Sequence, residues 1–535
     1  MCFQDLSLEL NEKISELSTK DSIERSKMES SSVSTTNEPK VSHKGLQDHY
    51  LELTPDGNAV RWGRDNPKYP RNWSLFRKTY DTTTICALDL FITASSTAGA
   101  AAATEAKHEY HLNQTLATFC FVTMFLLGQC LGNIILPAWS ESFGRKRMYL
   151  LSGGLSCSCC VIIGLVHSLP AAVTMRAVSG VLSAVPGTIL GGSIEDIFNS
   201  QARIWVIFFW TVASNIGLII GPIMSSYIIE ALNWRWVFFV YAIILAMITF
   251  LLCFNKESRS SRVLANEVKK LQRIIPSIPP ALNHDHSPNM RTFMNEALFR
   301  PAQLFFREPI VFTTSMMISV AMSLIYIFAE AFQPIYQSMG FSASQASLMF
   351  TAIGVGTCLS AFTRILDHQI FNRRRAQGLP IRPEHKLVGL AIGAPCLAVG
   401  LWWFGWTIPP KVQGPDVPWI LPTISLVLVG YALTEIDTCL YGYIADSYLS
   451  YSASATAAVA FMRGMLAATF PLFTRQMFDG LGANVAVSIL ASVATVFCIA
   501  PPLFICHGER IRKSSRFARY SWEIQEEMGK DEDDI

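Results

Sequence analysis

The stretch WRWVFFVYAIILAMITFLLCF, residues 234–254, carries a single charge, Arg235, and is otherwise almost entirely apolar or aromatic. As a helix rising ~1.5 Å per residue, such a run crosses the ~30 Å hydrocarbon core of a bilayer. Eleven comparable runs occur, at 80–103, 115–137, 148–168, 171–195, 204–229, 310–333, 345–366, 387–407, 419–443, 453–474 and 483–506. The sequence therefore predicts an all-α membrane protein of twelve transmembrane helices, six on either side of a charged interval.

Composition agrees. Half of the 535 residues are hydrophobic, only 16% are charged, and the mean hydropathy is +0.31. A soluble chain of this length would carry more charge. The net charge of +2 lacks the basic surplus of a nucleic-acid binder, and none is expected as partner. Of thirteen cysteines most fall inside the apolar runs, where cysteine packs as a small hydrophobe. The trio Cys157, Cys159 and Cys160 has no His or acidic neighbour at ligand spacing, so neither a metal site nor a cofactor is predicted. His284 and His286 lie in a flexible connector and read as solvated.

Residues 1–65 are rich in Ser, Glu, Lys and Thr and have no apolar core of a signal sequence, which predicts a disordered cytoplasmic tail. A first six-helix bundle over 66–254, a cytoplasmic connector over 255–308 with one short amphipathic helix near 262–275, a second bundle over 309–506 and a cytoplasmic tail over 507–535 complete the expected organisation. Lys and Arg set the orientation. Arg61, Arg64, Lys68, Arg71, Arg77 and Lys78 before the first run, Arg145, Lys146 and Arg147 after the second, Arg373, Arg374 and Arg375 after the eighth and Arg510, Arg512, Lys513, Arg516 and Arg519 after the twelfth share one side. The positive-inside rule then puts both termini in the cytoplasm. Two equal halves of six spans suit a transporter whose substrate site lies between them.

Within the runs stand Asp89, Arg176, Glu330, Glu435, Asp437 and Arg463, each costing about 2.5–3.5 kcal/mol at a helix centre. They must face protein or water. Glu330 sits among Tyr326, Phe328 and Phe332, which would wall a cavity around a single acid; a structural ion pair is the other reading. Glu435 and Asp437, two apart, point to nearly opposite sides of a helix, and Glu435 is favoured for the cavity because it lies deeper in its span. Arg463 reads as a structural ion-pair partner for an acid such as Glu435. Asp89 is either a proton carrier or a hydrogen-bond acceptor for a neighbouring helix. Gly217 and Gly221 with Pro222 permit close helix packing and a bend.

Three segments in order carry a resemblance: Glu141-Ser-Phe-Gly144-Arg145-Lys146, Arg176-x-x-x-Gly180, and Gly217-x-x-x-Gly221-Pro222. Together they resemble the major facilitator superfamily, specifically its twelve-span drug:proton antiporters. Asn66-Pro67, Pro70-Arg71-Asn72-Trp73, Asn233-Trp234-Arg235-Trp236, Gly400-Leu-Trp-Trp-Phe-Gly-Trp-Thr407 and Asp446-Ser447-Tyr448 look like the fungal branch of multidrug and polyamine exporters. The resemblance covers about residues 64–520. It implies two pseudo-symmetric six-helix bundles, a gating latch made by Glu141, Gly144, Arg145 and Lys146, a role for Arg176 in proton movement, and an antiporter element at Gly217, Gly221 and Pro222. Pro137 and Ser142 stand where the family has Gly and Arg, so one expected latch cation is missing.

The expected function is proton-coupled export of small amphipathic molecules by a plasma-membrane monomer, with substrate, protons and lipid as partners. A nutrient or polyamine uniporter or symporter of the same fold is the alternative, which the Gly-Pro element disfavours. No phosphate-binding loop or catalytic motif appears, so neither an enzyme nor an ATP-driven pump is predicted.

Overall fold

The computed structural model describes residues 50–54, 58–63, 66–276, 278–282, 299–378, 383–409, 418–448, 451–515 and 517–519. His284, His286, the extremes of both expected tails and the side chain of Glu141 lie outside what is described.

Among the described residues twelve helices are long and apolar enough to span a membrane: α1 (Leu75–Glu109), α2 (Gln114–Pro137), α3 (Arg145–Leu165), α4 (Leu169–Ile197), α5 (Ala202–Ala231), α6 (Trp234–Leu252), α7 (Pro309–Gln337), α8 (Ala343–Arg374), α9 (Pro383–Thr407), α10 (Ile420–Ser447), α11 (Ser452–Leu481) and α12 (Ala483–Lys513). Several overrun the apolar stretch that predicts them. The 35 residues of α1 reach ~52 Å, more than the hydrocarbon core, because helix ends are set by caps rather than by hydropathy. Ser74 accepts from the Arg77 N–H before α1, Asn113 from Leu116 before α2, Asn233 from Arg235 and Trp236 before α6, and Ser342 with Gln345 forms a capping box before α8.

Packing repeats between the halves. In the first, α1 lies on α5, α2 on α4 and α3 on α6; in the second, α7 lies on α11, α8 on α10 and α9 on α12. Across the halves α2 meets α11 and α5 meets α8, again an equivalent pair. Small residues permit this: a Cβ at Gly217 or Gly221 would lie 2.4 Å from Leu90 O or 2.3 Å from Ala94 O, so α1 and α5 touch backbone to backbone. Phe209, Phe250 and Phe362 project outward from their spans, as a lipid-facing surface requires.

Buried prolines free carbonyls that a neighbouring hydroxyl takes up. Pro222 has no N–H for the carbonyl of Leu218, and Thr97 Oγ1 of α1 donates to it at 3.1 Å; Pro186 likewise frees Leu182, which receives Ser152 Oγ of α3 at 2.9 Å. Both helices continue through the proline. The Gly-Pro element is thus a clasp between α1 and α5.

Outside the spans, the connector contains helices Ser260–Gln272 and Arg300–Arg307. Part of the stretch expected to be disordered is instead ordered, a correction to the tail assigned to residues 1–65. Strands β1 (Leu51–Leu53) and β2 (Val60–Trp62) pair antiparallel, and Val60 bridges Ala281 of the connector. Alternation of Leu51, Leu53, Val60 and Trp62 with polar neighbours is a strand period too short to register against the surrounding polar sequence.

Candidate functional site

The charges buried in the spans fall into two groups, those closed off within one half and those at the seam between halves. Arg176 of α4 is 1% exposed and, among the described residues, meets no carboxylate. Its Nε donates to Phe121 O at 2.8 Å, Nη1 to Ser95 O at 3.1 Å and Nη2 to Ser96 O at 3.4 Å, while the rings of Phe125 and Phe238 cover the guanidinium. A π-helical turn at Phe119–Thr123 in α2 contains the first of those acceptors. Arg176 therefore pins α1, α2 and α4 together.

Glu435 of α10 is also closed off. Arg364 of α8 holds it at 2.5 Å and simultaneously reaches Asp367 at 2.8 Å. Arg463, expected to pair with an acid such as Glu435, instead stands nearest Asp437. Arg364 lies inside the predicted eighth span, so the signal was present in the sequence; what it could not give is the rotation that turns α8 toward α10. Phe328 and Phe332 likewise turn into the second half, stacked at 4.7 Å and packed against Phe404 and Phe350. They do not wall Glu330, because residues 328 and 332 share a face that 330 does not.

At the seam lie Asp89, Tyr326, Glu330, Asp437 and Arg463. Asp89 Oδ2 accepts from Trp210 Nε1 at 2.8 Å and from Ser214 Oγ, both on α5. Tyr326 Oη meets Ser96 Oγ of α1 at 3.0 Å. One turn further on the same face, Glu330 accepts from Thr118 Oγ1 at 3.2 Å and Gln114 Nε2 at 3.5 Å, both of α2. Nearby, Gln476 of α11 donates to Thr115 at 2.5 Å, and between α5 and α10 Asn215 donates to Thr434 at 3.4 Å. Polar side chains thus bridge the halves at the α1–α2 end and along the middle. Asp437 and Arg463 stand 3.9 Å apart, beyond hydrogen-bond length. Gln114, Thr118, Trp210 and Ser214, which the sequence reading passed over, are neutral and so lack the cost of burial that marks a charge.

The latch segment has its own geometry. Gly144 adopts φ +86°, a left-handed conformation, and a Cβ there would lie 2.7 Å from Glu257 Oε2. The Glu257 carboxylate accepts the Arg145 N–H at 2.9 Å and the Lys146 N–H at 3.2 Å, an anion on the N-terminus of α3. Arg145 Nε pairs with Asp196 at the end of α4 at 2.8 Å, and its Nη1 donates to Ile189 O at 2.9 Å. Glu257 and Asp196 were not singled out in the sequence, since each lies near a span end where charge is ordinary.

A sequence model described as the Major Facilitator Superfamily matches residues 84–471, and the chain belongs to this family. It is a multi-pass membrane transporter of that fold. Among curated relatives it is 28% identical to the MFS-type transporter hepF of Aspergillus oryzae, over 90% of this chain and 98% of that protein. It is 27% identical to the efflux pump radE of Floropilus chiversii, over 86% of each. Among solved structures it resembles the proton:xylose symporter XylE bound to 6-bromo-6-deoxy-D-glucose, with a TM-score of 0.57, 16% identity and coverage of 81% of this chain and 97% of that one. The human organic anion transporter MFSD10 gives 0.55 at 14% identity, covering 79% and 99%. At these identities the structural likeness speaks for the fold.

Proposed function

We propose that the protein is a proton-coupled exporter of small amphipathic molecules, working by alternating access as a monomer in the plasma membrane with both termini cytoplasmic. The observation that carries this reading is the seam. Titratable carboxylates of both halves, Asp89 and Glu330, each accept hydrogen bonds, and those on Glu330 come from the opposite half. Protonating Glu330 would remove the charge that attracts Gln114 and Thr118, which weakens the α2–α7 contact and biases the two halves toward rocking apart at that end. In this reading the α1–α2 end faces outward, and Arg176 and the α1–α5 clasp at Gly217, Gly221 and Pro222 keep the first half rigid while it rocks. Several relatives bear names that call them efflux pumps, which favours export over the nutrient or polyamine alternative.

The test is efflux of fluorescent amphiphiles, cationic and anionic, from cells with and without the gene, before and after a protonophore collapses the gradient. Wild-type protein is expected to lower accumulation only while the gradient stands, and Glu330→Gln or Asp89→Asn to abolish that while leaving folding intact. Efflux indifferent to the protonophore, or unchanged pH dependence in both variants, overturns the proposal.

A further inference from the structure

The arginines most deeply buried in the spans each hold polar partners at hydrogen-bond or ion-pair distance, even where a single Nε is left over. Arg176 has three carbonyls, Arg145 a carbonyl and Asp196, and Arg364 two carboxylates. A guanidinium carries five N–H donors in a planar fork, each open to a partner. Arg463 is the exception. Among the described residues it donates no hydrogen bond, its nearest carboxylate oxygen, Asp437 Oδ1, is 3.9 Å away, and that oxygen is itself buried without a hydrogen-bond partner. Tyr441, one turn from Asp437, lies with its ring 6.0 Å from the guanidinium. The Arg463 side chain is 32% exposed and that of Asp437 11%, so the cation is the more accessible of the two. The adjoining residue, Gly464, abuts Cys130 of α2, which puts Arg463 at the α2–α11 crossing of the seam. The other charged or titratable groups within its electrostatic reach, Asp89 of α1, Tyr326 of α7 and Cys130, belong to three further helices around the same space.

We infer that Arg463 is the anchor for an anionic substrate group, a carboxylate or an acidic phenol or enol on a planar apolar body, with Asp437 as a resident placeholder and the Tyr441 ring as a platform. A bidentate carboxylate would fill the fork that Asp437 leaves open, because Asp437 sits too far to hydrogen-bond and too deep to follow. The resident carboxylate lowers the cost of an empty carrier by partly neutralising the cation, and competes with the incoming anion for it. This rests on the exporter reading for the identity of the ligand as cargo, yet binding can be read without transport.

The experiment uses purified full-length protein in lipid nanodiscs and three probes sharing one ring system: 2-naphthoate, neutral 2-naphthamide and cationic 2-naphthylmethylammonium. Naphthoate is expected to bind most tightly. Arg463→Gln should weaken it about tenfold or more, as loss of a charge-assisted pair does, with little change for the amide. Arg463→Lys should fall between, and Asp437→Asn should tighten naphthoate severalfold by removing the competitor. An unchanged naphthoate affinity in Arg463→Gln, a weakened one in Asp437→Asn, or preference for the ammonium probe overturns the inference. Thermal midpoints identify misfolded variants, and Asp437→Asn tests the idea even where Arg463→Gln does not fold. A protein that binds naphthoate by these rules but exports nothing refutes the proposed function and leaves this assignment standing.

Discussion

The two halves close the same corner with one contact reversed in sign and one kept. In the first, the Arg145 N–H and Lys146 N–H at the start of α3 hold Glu257 beyond α6, and Arg145 pairs with Asp196 at the end of α4. In the second, the equivalent positions reverse the sixth-helix contact: the acid, Glu384, stands at the start of α9 and the base, Arg512, near the end of α12, 2.5 Å apart. The contact to the fourth helix keeps its sign, as Lys386 pairs with Asp446. What the repeat conserves is therefore which helix ends must meet, and either sign of charge serves. The burial of that fourth-helix contact differs too, whereas Glu384 and Arg512 are as buried as the first half's pair. Arg145 and Asp196 are 8% and 14% exposed, whereas Lys386 and Asp446 are each 34% exposed. A water-screened pair contributes little, and a buried one is costly to break on one side.

That contrast can be broken in order of expected effect. Arg145→Met removes the guanidinium that pairs with the buried Asp196, leaving only the influence of Arg259, and should destabilise the first half by ~2–4 kcal/mol, seen as a large fall in thermal midpoint in detergent. Equal tolerance of Arg145→Met and Lys386→Met would remove the distinction between the two corners. Gly144→Ala forces a side chain into a left-handed backbone and against Glu257, for which ~1–3 kcal/mol is expected. Its second half has no counterpart of that strain at Lys386, so an alanine there should matter least: Lys386→Ala is expected to cost at most ~1 kcal/mol, with an effect that fades in high salt. A salt-insensitive loss at Lys386 would show its contact with Asp446 to be as sealed as that of Arg145 with Asp196.

Much of the architecture was legible before any coordinates. Twelve apolar runs, their equal division and the Lys and Arg bias follow from the length of a bilayer crossing and the cost of moving charge. Helix ends were less legible, since Ser74, Asn113 and Ser342 extend spans into polar sequence. The site was legible only as a set of buried charges. Their sorting was not: Glu435 was favoured for the cavity and lies sealed on Arg364, while Asp437, two residues on, faces Arg463. The two acids take different partners on different helices, Arg364 of α8 for Glu435 and Arg463 of α11 for Asp437.

By itself the sequence determined how many helices cross the membrane and which residues share a face of each, because rise and turn per residue are fixed by the backbone. Only the tertiary structure decided which face meets which neighbour: that Arg176 spends its donors on carbonyls, that Thr97 answers Pro222, that Phe328 and Phe332 fill a core and that Arg463 keeps its fork open. The rotation of one helix against another is settled by summed side-chain packing across the contact, a quantity that no single helix contains.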